Sequence, residues 1–125
     1  MDVLIVQTRP CLSALWRKHL EKVDAVVAEA STQYEANSYL MELRFDAIIM
    51  DLLLENGSAL VIAEMAGFHQ PEAKLILMTR SSAFCDGSIY FHFSNVCGLL
   101  PVGTSPGDIA ALVAHHAGEN IARLG

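Results

Sequence analysis

The sequence predicts an α/β fold with a doubly wound, five-stranded parallel sheet, and two observations support this prediction. Short apolar segments typical of strands alternate with segments of helical periodicity along the whole chain. Hydrophobic residues make up 53% of the chain and charged residues only 18%, which suits a sheet that is buried on both faces. Because strand–helix–strand crossovers are right-handed, five such units place helices on both sides of the sheet. The 125 residues suffice for one domain, predicted over residues 1–125.

The first half of the chain is predicted to contain three strands and two helices. Three apolar runs are predicted to form the strands, the second of them buried: Val3–Val6, Ala25–Ala28 and Asp46–Asp51. The first helix has apolar residues at helical spacing from Leu12 to Leu20, with Pro10 near its first turn. Ser31 or Thr32 is predicted to cap the second helix, and the spacing of Thr32 and Glu35 fits a capping box. The apolar positions of this helix begin with Tyr34.

The second half is predicted to add two strands, Lys74–Thr79 and Gly98–Pro101. Ser58 is placed to cap a helix over Ala59–Ala66, and Ser105-Pro106 to begin the last helix. The stretch Ser81–Val96 fits the pattern least well, and a short, irregular helix is predicted there. Within it, Ile89–Phe93 carries three aromatic residues, which predicts either core packing or an exposed docking patch.

Charge and cysteine content exclude several functional classes. The net charge is −6 with only 8 Lys and Arg, and no basic run occurs, so direct nucleic-acid binding is not predicted. Apolar runs such as Ala47–Met50 are too short to span a membrane, and no signal peptide is predicted. Three cysteines without CxxC spacing are expected to be reduced, mostly buried thiols of a cytoplasmic protein.

Polar residues follow three of the predicted strands. In open parallel sheets the functional crevice lies at the carboxyl ends of the strands, near the point where the strand order reverses. This rule predicts that Gln7, Thr8, Asp51 and Thr79 are neighbours in space. No catalytic Ser/His/Asp order, Gly-rich phosphate loop or histidine pair with metal-ligand spacing occurs, so neither enzymatic activity nor a metal site is predicted.

Several segments resemble the receiver domain of response regulators in two-component signalling. They are Asp46–Asp51 with Gly57 six residues after Asp51, Thr79 28 residues after Asp51, and the last strand and helix start, Gly98–Ile109. The resemblance covers nearly the whole chain and implies a flavodoxin-like (βα)5 fold. It also implies that Asp51 is the phosphoacceptor and that the Thr79 hydroxyl contacts the phosphoryl group.

The chemical residues of this family are largely replaced. Its acidic pair after the first strand falls on the neutral residues Gln7 and Thr8. Its lysine after the fifth strand falls on Val102, or on Leu100 if Pro101 is aligned with the family's proline. Arg80 stands where family members usually have a small residue beside their Ser or Thr. The sequence is therefore interpreted as a degenerate member of the family.

These replacements bear directly on phosphoryl transfer, which brings several negative charges together and needs cations to compensate them. Mg²⁺ prefers oxygen ligands, and Asp51 would be the only carboxylate expected at its position. Mg²⁺ binding is therefore expected to be weak or absent, and no other cofactor is predicted. Arg80 could pair with Asp51 as a substitute cation or point into solvent, and the sequence leaves both alternatives open.

The leading functional hypothesis is a pseudo-receiver of a two-component or phosphorelay system, with weak or no phosphorylation of Asp51. It would be cytoplasmic and would act through contact with a sensor kinase, an output protein or a second copy. Docking is expected on the Ser81–Val96 region or the last helix. Two alternatives stay open: an atypical phospho-receiver in which Arg80 partly replaces the missing cations, and a flavodoxin-like module that binds a small molecule.

Overall fold

The computed structural model describes residues 1–52, 58–79, 96–101 and 103–124, with side chains described up to residue 116. Five parallel strands form one sheet in the order β2-β1-β3-β4-β5. The strands are β1 (Asp2–Val6), β2 (Val26–Ala30), β3 (Ala47–Asp51), β4 (Lys74–Thr79) and β5 (Val96–Pro101). This sheet confirms the predicted fold class and the existence of all five predicted strands.

Four helices are described, and they cover both faces of the sheet. They are α1 (Pro10–Glu21), α2 (Gln33–Glu42), α3 (Ala59–His69) and α4 (Pro106–Leu124). Residues of α2 and α3 pack with Leu4 and Val6 in one hydrophobic cluster, whereas residues of α1 and α4 pack with Val3 and Ile5 in another. Because side chains alternate across a strand, one apolar run serves both clusters.

Local sequence explains where the helices begin. Pro10 is the first residue of α1, where its missing N–H costs no helical hydrogen bond. Thr32 and Ser58 are the N-caps of α2 and α3, and each accepts a hydrogen bond from the backbone N–H three residues later. The carboxylate of Glu35 accepts from the hydroxyl and backbone N–H of Ser31, one residue before the cap that the capping-box pattern predicts.

The second strand departs from its prediction. It begins at Val26 rather than Ala25 and continues to Ala30, and Val26 is 68% exposed, so the strand is not fully buried. The reason is topological, since β2 lies at an edge of the sheet and is paired on one side. Two predicted apolar helix positions, Leu15 and Tyr34, are also exposed.

Other boundaries differ by a few residues. The third helix extends beyond Ala66 to His69, and β5 begins at Val96 rather than Gly98. Val96 therefore belongs to a strand and not to the irregular helix predicted there; the rest of that prediction lies outside the described residues. Cys11 is exposed, contrary to the predicted burial, because it lies on the solvent side of α1.

No helix among the described residues is both long enough and apolar enough to cross a bilayer.

Candidate functional site

The carboxyl ends of β1, β3 and β4 form a buried polar edge at the centre of the sheet. Asp51 ends β3 and is fully buried, Thr79 ends β4, and Gln7 follows directly after β1. All three side chains are less than 5% exposed. The predicted neighbourhood is therefore observed for Gln7 and Asp51, which share a hydrogen bond, whereas Thr79 is placed only at the end of the adjacent strand. Thr8, the residue after Gln7, is half-buried.

The register of β1 and β3 explains why Gln7 and Asp51 meet. Ile5 is level with Ile49, so two residues further along Gln7 is level with Asp51. Ile5 and Ile49 also share one hydrophobic cluster, on the α1 and α4 side of the sheet. Since side chains two residues apart point to the same face, Gln7 and Asp51 both extend to that side.

The side-chain amide of Gln7 is held at both ends. Its Nε2 donates a hydrogen bond of 3.1 Å to Oδ2 of Asp51, and its Oε1 accepts one of 3.1 Å from the backbone N–H of Arg9. Its backbone N–H donates to the carbonyl oxygen of Ala30 in β2. Because a carboxylate only accepts and a backbone N–H only donates, these partners determine which way the amide points.

Because Gln7 and Asp51 are buried, the hydrogen bond between them contributes more to stability than it would at the surface. Moving a carboxylate out of water is costly unless donors replace the lost water molecules, and the Gln7 amide is one such donor. At the same position a carboxylate would instead face Asp51 as a like charge. The Gln7 donor therefore stabilises the buried Asp51 carboxylate where β1 and β3 end.

The described residues do not fit a Mg²⁺ ion at this edge. Toward Asp51, Gln7 presents an N–H group, whereas Mg²⁺ needs oxygen ligands. Turning the amide to offer Oε1 would break its hydrogen bonds to both Asp51 and Arg9. Within the described ranges no three His, Cys, Asp or Glu side chains are grouped so that they could hold a metal ion.

Not every predicted site residue can be placed. Arg80, Val102 and Gly57 lie outside the described residues, so both alternatives for Arg80 stay predictions. The backbone N–H of Arg9, which orients the Gln7 amide, was not predicted from the sequence. Every residue except proline has a backbone N–H, so the residue type at position 9 does not indicate this hydrogen bond. The one indication in the sequence was the glutamine at position 7, whose amide needs both an acceptor and a donor as partners.

One known family matches a part of the chain that includes both the central strands and the polar edge. The model of the response regulator receiver domain matches residues 3–88, which is more than half of the chain. The chain belongs to the response-regulator receiver family. Its match includes β1, β3 and β4, and therefore the edge with Gln7, Asp51 and Thr79. In this receiver domain, that edge carries a neutral amide beside the aspartate.

Solved structures similar to this receiver are distant in sequence. A CheY-like receiver domain protein from Methanospirillum hungatei has a TM-score of 0.87 at 17% identity, covering 98% of this chain and 97% of that one. A Burkholderia pseudomallei response regulator with a phosphorylated aspartic acid, calcium ion and citrate has a TM-score of 0.80 at 20% identity, with 99% and 72% covered. The Thermotoga maritima response regulator TrrA, in complex with Mg²⁺–BeF, has a TM-score of 0.79 at 18% identity, with 92% and 97% covered.

At these identities the likeness concerns the fold. A search of curated proteins found no match to the sequence.

Proposed function

We propose that this receiver domain is a signalling module of a two-component or phosphorelay system that acts through protein contacts, with weak or no phosphorylation of Asp51. The observation that carries the proposal is the hydrogen bond from Gln7 Nε2 to Asp51 Oδ2. This bond lies at the position where the family places an acidic residue. Under the proposal, the module is not an enzyme, needs no cofactor and spans residues 1–125.

Electrostatics supports weak phosphorylation. A phosphoryl group arriving at Asp51 adds negative charge, and a dipolar amide compensates much less of it than a divalent cation. The Gln7 amide also donates to Oδ2 of Asp51, so it competes with a phosphoryl group or a metal ion for the electron density of that oxygen. Each factor of ten lost in Mg²⁺ affinity corresponds to about 1.4 kcal/mol, and losing two carboxylates removes several such factors.

The same contact suggests how the module signals. In receivers that are phosphorylated, a change of charge at the aspartate selects between two conformations, and a partner senses the result. Here a neutral donor accompanies Asp51 permanently, which favours one conformation. The domain would then present a constant surface to a kinase, an output domain or a second copy, in the cytoplasm. A structural neighbour from Carboxydothermus hydrogenoformans is the N-terminal domain of a response regulator/sensory box/GGDEF three-domain protein.

Intact-protein mass spectrometry tests this proposal. The purified chain is incubated with Mg²⁺ and acetyl phosphate, beside two matched variants. Asp51→Asn removes the acceptor, and the double variant Gln7→Asp with Thr8→Asp restores the acidic pair. We expect no phosphorylated species from the unmodified chain or Asp51→Asn. Phosphorylation of the double variant, together with tighter Mg²⁺ binding by titration calorimetry, would show that the neutral pair is the cause.

Phosphorylation of the unmodified chain to the same extent as the double variant, if Asp51→Asn abolishes it, would overturn the proposal. It would favour the alternative in which Arg80 supplies the missing charge. An Arg80→Ala variant then distinguishes that alternative, because phosphorylation should persist in this variant if another group provides the compensation.

A further inference from the structure

The outward face of α3 is unusually apolar. The helix buries Ala59, Ile62, Ala63 and Ala66 against the sheet. Its exposed side chains are Leu60, Val61, Phe68 and one charged residue, Glu64. Phe68 is 82% exposed. A helix on the surface of a soluble domain normally carries mostly polar residues on its outer side, so an apolar outer side points to a partner that covers it.

Helical geometry places these side chains together. At 3.6 residues per turn, Leu60, Glu64, Phe68 and Val61 lie within an arc of about 100° around the helix axis. Three of the four are large and apolar: Leu60 and Val61 lie on the first turn of α3, and Phe68 lies on its last turn. The exposed stripe therefore runs along the whole helix rather than being an isolated residue.

Further exposed apolar side chains, at the end of α2, lie near the end of α3. The ring of Phe68 contacts that of His69 edge-on, with a centroid separation of 5.1 Å. His69 in turn lines a cavity of about 160 Å³ together with Met41 and Leu43, at the end of α2. Both of these residues are exposed apolar side chains. We call the set of Leu60, Val61, Phe68, Met41 and Leu43 the α2–α3 surface.

Hydrogen bonds connect α2 and α3 at both ends of the α2–α3 surface. At the start of the two helices, the Gln33 side chain accepts a hydrogen bond of 2.8 Å from the backbone N–H of Ser58. At their ends, the amide of Gln70 donates to the carbonyl oxygens of Leu40 and Leu43. A surface fixed in this way loses little conformational entropy when a partner docks on it.

Charge selects the chemistry of the partner. Among the exposed side chains of residues 33–44 and 58–72, the carboxylates are Glu35, Glu42, Glu64 and Glu72, whereas Arg44 is the one guanidinium. A second copy docked through the same surface would place these carboxylates opposite the carboxylates of the first copy, and the like charges would repel. The net charge of −6 on each chain adds to this repulsion. A partner with basic residues beside its apolar contacts is complementary.

From these observations we propose that the α2–α3 surface binds a basic amphipathic helix of a partner protein. Apolar side chains of that helix would cover Phe68 and Val61, and its Lys or Arg residues would face Glu64 and Glu42. The inference goes beyond the proposed function, because it places the contact on α2 and α3 and holds whether or not Asp51 is phosphorylated. It differs from the docking sites that the sequence predicts, on the Ser81–Val96 region and the last helix.

A designed peptide tests this surface. The probe is an 18-residue helical peptide with leucines along one face and lysines along the other, added to the ¹⁵N-labelled chain. Two control peptides keep the helix with glutamate in place of lysine, or keep the composition with a scrambled order. We expect saturable chemical-shift changes centred on residues 41–44 and 59–69 with the lysine peptide, weakening as salt increases. The two controls should give much weaker changes.

Matched variants locate the contact. Phe68→Ser should weaken binding of the lysine peptide by about tenfold or more, because exposed aromatic side chains dominate such interfaces. Leu15→Ser removes a different exposed apolar residue, on α1, and should change the affinity by less than about twofold. Thermal unfolding of both variants checks that each is folded.

Three outcomes would overturn the inference: shift changes centred on α1 and α4, equal binding of the glutamate peptide, or unchanged affinity in Phe68→Ser. Sedimentation equilibrium without peptide adds a fourth, since a dimer that Phe68→Ser dissociates would make a second copy the occupant. None of these results affects the mass-spectrometric test at Asp51, so failure here is distinguishable from failure of the proposed function.

Discussion

Two buried glutamines, Gln7 and Gln70, have nearly the same exposure but different partners. Gln7 is 2% exposed and Gln70 4%. The amide of Gln7 joins a side-chain carboxylate, Asp51, to one backbone N–H. The amide of Gln70 has backbone partners instead, donating to Leu40 and Leu43 and accepting from Phe45.

The difference teaches that the partner, rather than the residue type or its burial, determines the role. Gln70 connects the end of α2, the segment before β3 and the end of α3, where it is also the C-cap residue. Its role is structural, because its described side-chain partners are atoms that every sequence would have. Gln7 contacts the carboxylate of Asp51, so under the proposed function a change at Gln7 alters phosphorylation as well as stability.

The largest effect is expected at Gln70. Gln70→Leu keeps the approximate volume but leaves the Phe45 N–H and the Leu40 carbonyl oxygen without this partner in a buried place, and the Leu43 carbonyl oxygen in a partly buried one. We expect a loss of about 3 kcal/mol in the free energy of unfolding, since each unsatisfied buried group costs about 1–3 kcal/mol. Urea unfolding measures it. A loss below about 1 kcal/mol would show that water reaches these groups and that Gln70 is not the connector inferred here.

A near-isosteric control separates hydrogen bonding from packing. Gln70→Glu keeps an oxygen for the N–H of Phe45 but replaces the donor to Leu40 and Leu43 with a second acceptor. It should be destabilising near pH 7. Protonation of the new carboxyl group restores a donor, so the deficit relative to the unmodified chain should shrink below about pH 5. A deficit independent of pH would assign the effect to packing.

A smaller effect on stability is expected at Gln7. Gln7→Leu removes a donor from the buried carboxylate of Asp51 and should lower the free energy of unfolding by about 1–2 kcal/mol. In the background of Asp51→Leu the same change should cost less, because the carboxylate that needs the donor is gone. A double-mutant cycle by urea unfolding measures this coupling. Additive effects of the two substitutions would contradict a direct interaction.

The contact between Gln33 and Ser58 tests whether a partly buried hydrogen bond contributes less to the free energy of unfolding than a buried one. Gln33 is half-buried, and its Oε1 accepts from the backbone N–H of Ser58. Gln33→Ala should cost about 0.5–1 kcal/mol, because water can replace the lost acceptor. Thermal unfolding should show a decrease of a few degrees, clearly smaller than for Gln70→Leu. Equal decreases for the two variants would remove the distinction between buried and half-buried amides.

The smallest effect is expected at Glu29, on the edge strand. The hydrogen bond from Ser13 lowers the pKa of Glu29 below its ordinary value of 4.5, burial opposes this, and Arg17 lowers the pKa again. A carboxylate with a lowered pKa in the folded chain stabilises the fold above its ordinary pKa, and this contribution is lost as pH falls through the folded value. Glu29→Gln should therefore cost less than about 1 kcal/mol at neutral pH, because the side chains of Arg17 and Glu29 are 44% and 34% exposed and water screens their attraction.

The corresponding measurement is urea unfolding of the unmodified chain and Glu29→Gln as a function of pH. The difference between them should vanish in acid, where Glu29 is protonated. A difference that persists unchanged in acid, once Glu29 is protonated in the folded chain, would show that packing rather than charge is responsible.

Much of the fold followed from local patterns, whereas the site followed only in part. The caps at Thr32 and Ser58 and the strand Lys74–Thr79 were predicted correctly, because each depends on a few neighbouring residues. The burial of Ala25–Ala28 was predicted wrongly, because a strand at the edge of a sheet and one at its centre have similar sequences. The exposure of Leu15 and Tyr34 was missed for a different reason. Helical periodicity places a residue on a face of a helix but does not show how far the core extends over that face.

The sequence by itself determined that this chain forms five parallel strands and that two neutral residues, Gln7 and Thr8, follow the first of them. It did so because strand alternation, helix caps and residue type are local properties. Only the tertiary structure decided that Gln7 donates to Asp51 and that the outer face of α3 stays apolar and uncovered within the described residues. Both depend on strand register and on packing between distant segments, and a residue 44 positions away along the chain becomes a neighbour only after the sheet has formed.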